Sequence, residues 1–182
     1  MIYESISSGL ETKFCRFDTD KKSIDGADIS GYASLFNVED KGGDVVCKGA
    51  YGASLARLSK SGGKVKMLWQ HDHMQPIGVW DEIHEDDKGL FVRGRLLSEV
   101  QAGREALALL SAGAIDGLSI GYRTVRAEKS AKGRLLHEIE LWEVSMVTFP
   151  MLPEARVAPS DDEAALAQSL AETFRQARDL LA

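Results

Sequence analysis

The stretch GLSIGYRTV, residues 117–125, decides the predicted fold because most of its side chains alternate between large apolar and small or polar, as in a β-strand. Neighbouring side chains of a strand point to opposite faces. One face carries Leu118, Ile120 and Tyr122, and the other carries Ser119, Gly121 and Arg123. We therefore expect a serine on a polar, sterically open face, a setting that suits a nucleophile and equally an ordinary solvent-facing serine.

Two other strand-like segments supply the remaining groups of a serine hydrolase. Residues 69–72 read Trp-Gln-His-Asp and place His71 at the end of a strand predicted over 64–71. Glu143 lies in a long apolar-rich strand predicted over 135–149, on the same face as Leu141. A serine becomes nucleophilic when an imidazole takes its proton and a third group orients that imidazole. Since a buried carboxylate is costly without a partner, Glu143 is the acidic residue that most needs one.

Several separate motifs resemble those of the tailed-phage prohead (capsid maturation) serine proteases. They occur in the family's order between residues 29 and 157, and they read GYASLFN at 31–37, GDVV at 43–46, MLWQHD at 67–72, PIGVW at 76–80, GLSIGY at 117–122 and EVSMVTFP at 143–150. The resemblance implies a serine endopeptidase with Ser119 as nucleophile, His71 as base and Glu143 as the acidic third member. It also implies an α+β fold similar to the herpesvirus assemblins, a closed β-barrel of about seven strands surrounded by helices.

The same resemblance implies a substrate and a location. The substrates would be the scaffolding segment of the major capsid protein and the protease itself, inside proheads assembling in the host cytoplasm. No metal or organic cofactor is expected. The adjacent arginine pair of the assemblins is not present in the comparable stretch, where Arg156 stands alone, and this departure leaves transition-state stabilisation unassigned. Arg156 is one candidate, and Gly121 with the backbone beside Ser119 is another.

Composition narrows the function classes further. The net charge of −6 over 182 residues argues against the usual basic nucleic-acid surface. No apolar stretch is long enough to span a bilayer, and residues 1–18 lack the order of a signal peptide. Cys15 and Cys47 do not make a disulfide framework, so we expect two buried free thiols in a cytoplasmic protein.

Each proposed site residue has alternatives. Ser145 is the rival serine, although a small polar core residue explains it adequately. His73 would share a face with His71 if the strand continued, and sequence physics alone does not separate them. The acidic member could in principle be Asp72 or Asp116, although Asp72 should point away from its neighbour His71. Residues 71–73 could also be read as a metal site, but no further ligands follow at a characteristic spacing.

Glu143 also has a purely structural interpretation, as an ion-pair partner of Arg93, Arg95 or Arg123. The other histidines, His84 and His137, are expected to be exposed.

The remaining pattern predicts further strands, at 12–17, 29–36 and 89–97, and two helices. One short helix is expected over 50–58. The other begins at Ser98, where Ser98 and Gln101 fit a capping box, and ends at Gly113.

The chain divides into a protease barrel domain, 1–157, and a C-terminal amphipathic helix, 158–182. The helix would pack on that domain or on a partner chain, which makes a homodimer a candidate arrangement.

Two other functions compete with the protease. The first is a non-catalytic capsid-assembly or scaffold protein of the same fold. The second is an esterase or other acyl hydrolase, since residues 117–121 fit the letters Gly-x-Ser-x-Gly. That motif requires a helix after the serine, whereas the pattern predicts that the strand continues.

Overall fold

The structure, a computed structural model, describes residues 27–150 and 157, together with the backbone of residues 11–15. These parts of the chain contain eight β-strands and two α-helices. The strands are β1 (Glu11–Cys15), β2 (Asp28–Leu35), β3 (Val45–Val46), β4 (Lys66–Trp69), β5 (Asp72–Glu85), β6 (Gly89–Leu96), β7 (Gly117–Lys129) and β8 (Arg134–Val147). The helices are α1 (Gly52–Ser61) and α2 (Gln101–Ser111).

The strands form one curled, mixed sheet with the order β1-β7-β8-β4-β5-β6-β2. The short strand β3 and strand β4 both pair with β8 in parallel, and the other pairs are antiparallel. The α+β class is therefore as predicted. Within the described residues the hydrogen-bonded order begins at β1 and ends at β2, so closure of the sheet into a barrel stays a prediction.

The apolar face of the sheet encloses a single core. Leu118, Ile120 and Tyr122 of β7 are all buried in it, as the alternation predicted. Helix α2 contributes Ala106 and Leu110 to the same core. The core side of β7 is thereby fixed, and Ser119 must lie on the opposite face.

Trp142 is an extra residue in β8 at the place where β8 faces β7. Gly121 is paired with Glu143, and the next residue of β7, Tyr122, is paired with Leu141, so that Trp142 has no partner in β7. Such a β-bulge inserts one residue and shifts the alternation of everything beyond it. Trp142 itself is about half exposed, at 49%.

Because of this bulge, the prediction that Leu141 and Glu143 share a face is wrong. Before the bulge Ile139 and Leu141 belong to the core, and after it Val144 and Met146 do. The core-facing positions thus change from odd to even numbers. Glu143 is consequently turned away from the core, onto the face that carries Ser119.

The boundary of helix α2 differs from its prediction. The helix begins at Gln101, its N-cap residue is Val100, and no side chain caps it. The predicted capping box of Ser98 and Gln101 is therefore wrong, and the Gln101 amide donates to Glu105 one turn later. Gly113 follows the helix with a φ of 68°, as predicted for a C-terminal glycine.

Strand β7 continues to Lys129, so the strand-to-helix turn of an acyl-hydrolase nucleophile elbow is not formed at Ser119. The predicted helix over 158–182, on which the predicted homodimer contact depends, lies outside the described residues. Of the helices that the structure does describe, none has the length and apolarity to span a bilayer.

Candidate active site

His71 lies in the tight turn between β4 and β5, and not in a strand as predicted. Trp69 and Asp72 are paired on either side of the turn, which leaves Gln70 and His71 as its two central residues. Both have positive φ, 52° for Gln70 and 64° for His71. This combination is typical of a type I′ turn, whose twist matches that of the two strands it joins. Histidine adopts this backbone region more readily than most residues.

Strand β8 holds this turn in place through several hydrogen bonds. The Gln70 N–H donates to the Met146 carbonyl at 2.9 Å. The Gln70 side chain donates to Thr148 Oγ1 at 2.6 Å and accepts from the Thr148 N–H at 3.3 Å. The His71 N–H donates to Ser145 Oγ at 3.2 Å. The backbone that carries the imidazole is therefore fixed relative to β8.

Ser119, His71 and Glu143 form a continuous chain of hydrogen bonds. Ser119 Oγ lies 2.6 Å from His71 Nε2, and His71 Nδ1 lies 2.5 Å from Glu143 Oε1. An ionised carboxylate only accepts hydrogen bonds, so Nδ1 carries the imidazole hydrogen and Nε2 is left to accept the serine hydrogen. The three residues come from β7, from β8 and from the turn after β4, and these three strands are neighbours in the sheet.

The site is more enclosed than the sequence indicated. Ser119 has no exposed surface, and the side chains of His71 and Glu143 are 16% and 4% exposed. The predicted open face around Ser119 is wrong, because the His71 imidazole lies against the hydroxyl. In the plane of the sheet, β7 is paired with β1 on one edge and with β8 on the other.

The Glu143 carboxylate has a hydrogen-bond donor on each oxygen. Oε1 receives the His71 ring N–H, and Oε2 receives the Ser145 hydroxyl at 2.6 Å. Two donors offset much of the cost of burying a carboxylate. Its place over β7 depends on Gly121, where an added Cβ would lie 2.0 Å from Oε1.

The alternative base, His73, and the alternative acids, Asp72 and Asp116, are not the groups that meet Ser119 Oγ and His71 Nδ1. His73 lies in β5, the strand after the turn, and is exposed. Asp72 instead accepts from the Met74 N–H at 2.9 Å and from the Gln75 amide at 2.8 Å, and these two bonds hold the pKa of its carboxyl below the usual range. Asp116 lies in the loop before β7, and it is Glu143 whose carboxylate meets His71.

The predicted ion-pair partners of Glu143 bind other carboxylates. Arg93 pairs with Glu82, Arg95 with Asp81, and Arg123 with Glu140. In the part of the chain that the structure describes, no cluster of acidic, histidine or cysteine side chains could hold a metal ion. Cys47, predicted to be buried, is a half-buried free thiol.

Sequence reasoning missed the second hydrogen bond of Glu143 and the space that Gly121 leaves for it. Ser145 was a visible signal, since it lies two residues after Glu143 and on the same face of a strand. The type I′ turn had no such signal, because neither Gln70 nor His71 is the glycine or asparagine that usually marks it.

Ser119, His71 and Glu143 all lie in the part of the chain that matches a known protein family. A sequence model described as Caudovirus prohead serine protease matches residues 16–169 of the chain. The chain belongs to this family. It is 34% identical over 134 residues to the prohead protease of Enterobacteria phage HK97. It is also 28% identical over 134 residues to the prohead protease of Escherichia phage T5.

These alignments cover 71% and 72% of the chain, but only 58% and 62% of the two relatives. The chain thus spans about three fifths of the length of the relatives it matches. Among solved structures it is similar in fold to the capsid assembly protease of bacteriophage T4, with a TM-score of 0.57 at 16% identity. That likeness covers 78% of this chain and 96% of the T4 protein.

Proposed function

We propose that this member of the prohead protease family is a serine endopeptidase whose nucleophile is Ser119, whose base is His71 and whose third member is Glu143. The observation that supports the proposal best is the unbroken hydrogen-bond chain from the Ser119 hydroxyl through the imidazole to the Glu143 carboxylate. A buried acid, a histidine and a serine in this order are the working parts of acyl-transfer hydrolases on many unrelated folds.

Acylation begins when Ser119 Oγ attacks the carbonyl carbon of the scissile peptide bond. His71 Nε2 takes the hydroxyl proton, and the Glu143 carboxylate stabilises the resulting imidazolium through Nδ1–H. The imidazolium then gives the proton to the departing amine nitrogen as the C–N bond breaks. Water attacks the acyl-enzyme, its proton passes to His71, and the same proton returns to Ser119 Oγ when the new carboxyl terminus leaves.

The transition-state oxyanion needs donors other than the backbone beside the nucleophile. From Leu118 to Tyr122, β7 is paired on both edges. N–H groups of a strand lie in the plane of the sheet, so here they point toward β1 and β8 and away from the face of Ser119. The backbone around Ser119 and Gly121 is therefore a poor candidate, and Arg156, the other predicted one, lies outside the described residues.

For the substrate we propose the major capsid protein, cleaved in its scaffolding segment, together with the protease itself, inside proheads that assemble in the host cell. The names of the phage HK97 and T5 relatives support this choice. The competing function is a non-catalytic capsid-assembly protein. A binding surface has no use for a buried carboxylate aligned on an imidazole and a hydroxyl, and that arrangement costs stability, so the protease is favoured.

Covalent labelling tests the proposed function. An alkyl fluorophosphonate should add to Ser119, since Oγ forms a bond to phosphorus, fluoride leaves and His71 takes the proton. We expect a single adduct in the mass of the intact chain, placed on the peptide that contains Ser119. In parallel, the chain is co-expressed with the capsid protein, and the capsid protein is expected to be shortened relative to the same protein expressed alone.

An adduct on another serine would remove Ser119 from the mechanism. The absence of both labelling and capsid shortening would contradict the protease and favour the assembly protein. An adduct on Ser119 without capsid shortening would keep the serine hydrolase and reject the substrate.

A further inference from the structure

The Ser145 hydroxyl joins two members of the triad without belonging to it. Its oxygen donates its hydrogen to Glu143 Oε2 at 2.6 Å and accepts the backbone N–H of His71 at 3.2 Å. Ser145 has no exposed surface. It lies directly opposite Ser119 across the β7–β8 pair, so that its side chain points to the same face.

A serine hydroxyl has one hydrogen to donate. In Ser145 that hydrogen is used by Glu143, whereas in Ser119 it points toward His71 Nε2. Ser145 is therefore not the rival nucleophile that its sequence context allowed. Its two bonds act on the acid and on the base instead.

We propose that Ser145 is a positioning residue, which holds the Glu143 carboxylate and the backbone of His71 in one fixed relation; this inference rests on the proposed function. The hydroxyl occupies Oε2 and so leaves Oε1 directed at the imidazole Nδ1. By accepting the His71 N–H it also ties the tight turn to the strand that carries the acid.

The bond from the His71 N–H to Ser145 Oγ is important because of the backbone conformation of His71. A non-glycine residue with a φ of 64° is in a sparsely populated conformation, which persists only when the surrounding structure imposes it. The Ser145 hydroxyl is one of the groups that impose it. Without the hydroxyl, Oε2 would be a buried acceptor with one donor fewer, and the His71 N–H would lose its acceptor, so both ends of the Glu143–His71 bond would gain freedom.

If Ser145 only filled space between the strands, a different result would be expected. Alanine fills nearly the same volume, so a small packing residue would tolerate the exchange with little change in rate. Ser34 offers a matched control, because it is also a fully buried strand serine. Its hydroxyl has no hydrogen-bond partner among the residues that the structure describes.

The experiment compares Ser145→Ala, Ser145→Cys and Ser34→Ala with the wild-type chain. The first readout is the rate at which an alkyl fluorophosphonate labels Ser119. We expect roughly a 10- to 100-fold slower rate for Ser145→Ala, the usual effect of losing a hydrogen bond to a charged group. A smaller reduction is expected for Ser145→Cys, since a thiol is a weaker donor, and no change is expected for Ser34→Ala.

Two further readouts separate positioning from packing. For cleavage of the capsid protein, kcat should fall in Ser145→Ala while KM stays within about twofold, because both hydrogen bonds of this hydroxyl go to members of the triad. In low-temperature proton NMR, the far-downfield signal of the His71 Nδ1–H should weaken or shift in Ser145→Ala and persist in Ser34→Ala. A packing defect alone would not move that signal.

Wild-type labelling rates in Ser145→Ala would overturn the inference, and if that variant does not fold, a wild-type rate in Ser145→Cys would do the same. Failure of the proposed function is a separate result, in which the wild-type chain is not labelled at Ser119 at all.

Discussion

Ser119→Ala is expected to stop capsid cleavage, with a fall in kcat of roughly a million-fold. In the proposed mechanism, the variant removes the atom that forms the acyl bond and keeps everything that surrounds it. Ser119 is fully buried, and alanine fills nearly the same space there. The His71–Glu143 bond of 2.5 Å does not depend on the lost hydroxyl. The lost hydrogen bond should therefore lower the free energy of unfolding by only about 1 kcal/mol. Intact-mass analysis of co-expressed capsid protein shows whether cleavage stops, the rate of cleavage by purified protein gives kcat, and urea unfolding gives the free energy of unfolding.

The comparison with His71→Ala sharpens this prediction. Residues of a triad act as one unit, so the single variants and the Ser119→Ala/His71→Ala double variant should show nearly the same residual rate. Ser34→Ala removes a buried hydroxyl that makes no hydrogen bond within the described residues, so this variant should cleave at the wild-type rate. Capsid processing that survives Ser119→Ala would show that another group is the nucleophile. Losses that multiply in the double variant would show that His71 and Ser119 work independently.

The strands that carry the site could be predicted because they alternate. In β7 the large apolar residues at even positions fill the core, and this pattern places Ser119 on the other face without any knowledge of the fold. Helix α2 was predicted from its apolar spacing in the same way. Its first residues could not be, since the side chain of Ser98, which fits a capping box by sequence, makes no cap in a helix that begins at Gln101.

The position of Glu143 could not be predicted by alternation because of the bulge at Trp142. A one-residue insertion exchanges the faces of a strand, and it becomes visible only when the partner strand is known. The sequence pattern put Glu143 on the same face of the strand as Leu141, but the pairing with β7 places the two residues on opposite faces. Alternation did indicate that Glu143 would be enclosed and would need a partner, and the His71 imidazole is that partner.

The burial of Ser119 depends on neighbours that are distant in sequence. Alternation distinguishes the two faces of a strand, but it does not tell whether a polar face is open or covered. In the structure β1 and β8 occupy the two edges of β7, and His71 arrives from a turn about fifty residues earlier in the chain. These are long-range contacts, for which local sequence carries no signal.

Gly121 contributes to the site in a way that the sequence did not indicate. Its place beside Ser119 suggested a contribution to the oxyanion site, and the structure adds a different one. Gly121 is paired with Glu143 across the two strands, and the missing side chain leaves the volume that the carboxylate fills.

Gly121→Ala is consequently expected to act on the acid. A Cβ at this position would lie 2.0 Å from Glu143 Oε1, 2.7 Å from Cδ and 2.9 Å from Cγ. The carboxylate cannot move aside freely, because His71 and Ser145 hold both oxygens. We expect kcat to fall by roughly 10³- to 10⁴-fold, as when the third member no longer orients the histidine. Overpacking should lower the free energy of unfolding by about 1–3 kcal/mol.

A double-mutant cycle with Glu143→Ala identifies the cause. Glu143→Ala alone should reduce kcat by about 10⁴-fold. In that background the volume over Gly121 is empty, so adding the methyl group should reduce the rate only a few-fold further and should barely change the free energy of unfolding. Strong non-additivity of this kind is expected when two residues compete for one space. Additive losses would instead mean that the methyl group introduced by Gly121→Ala acts on β7 itself, and that Glu143 does not depend on the glycine for its position.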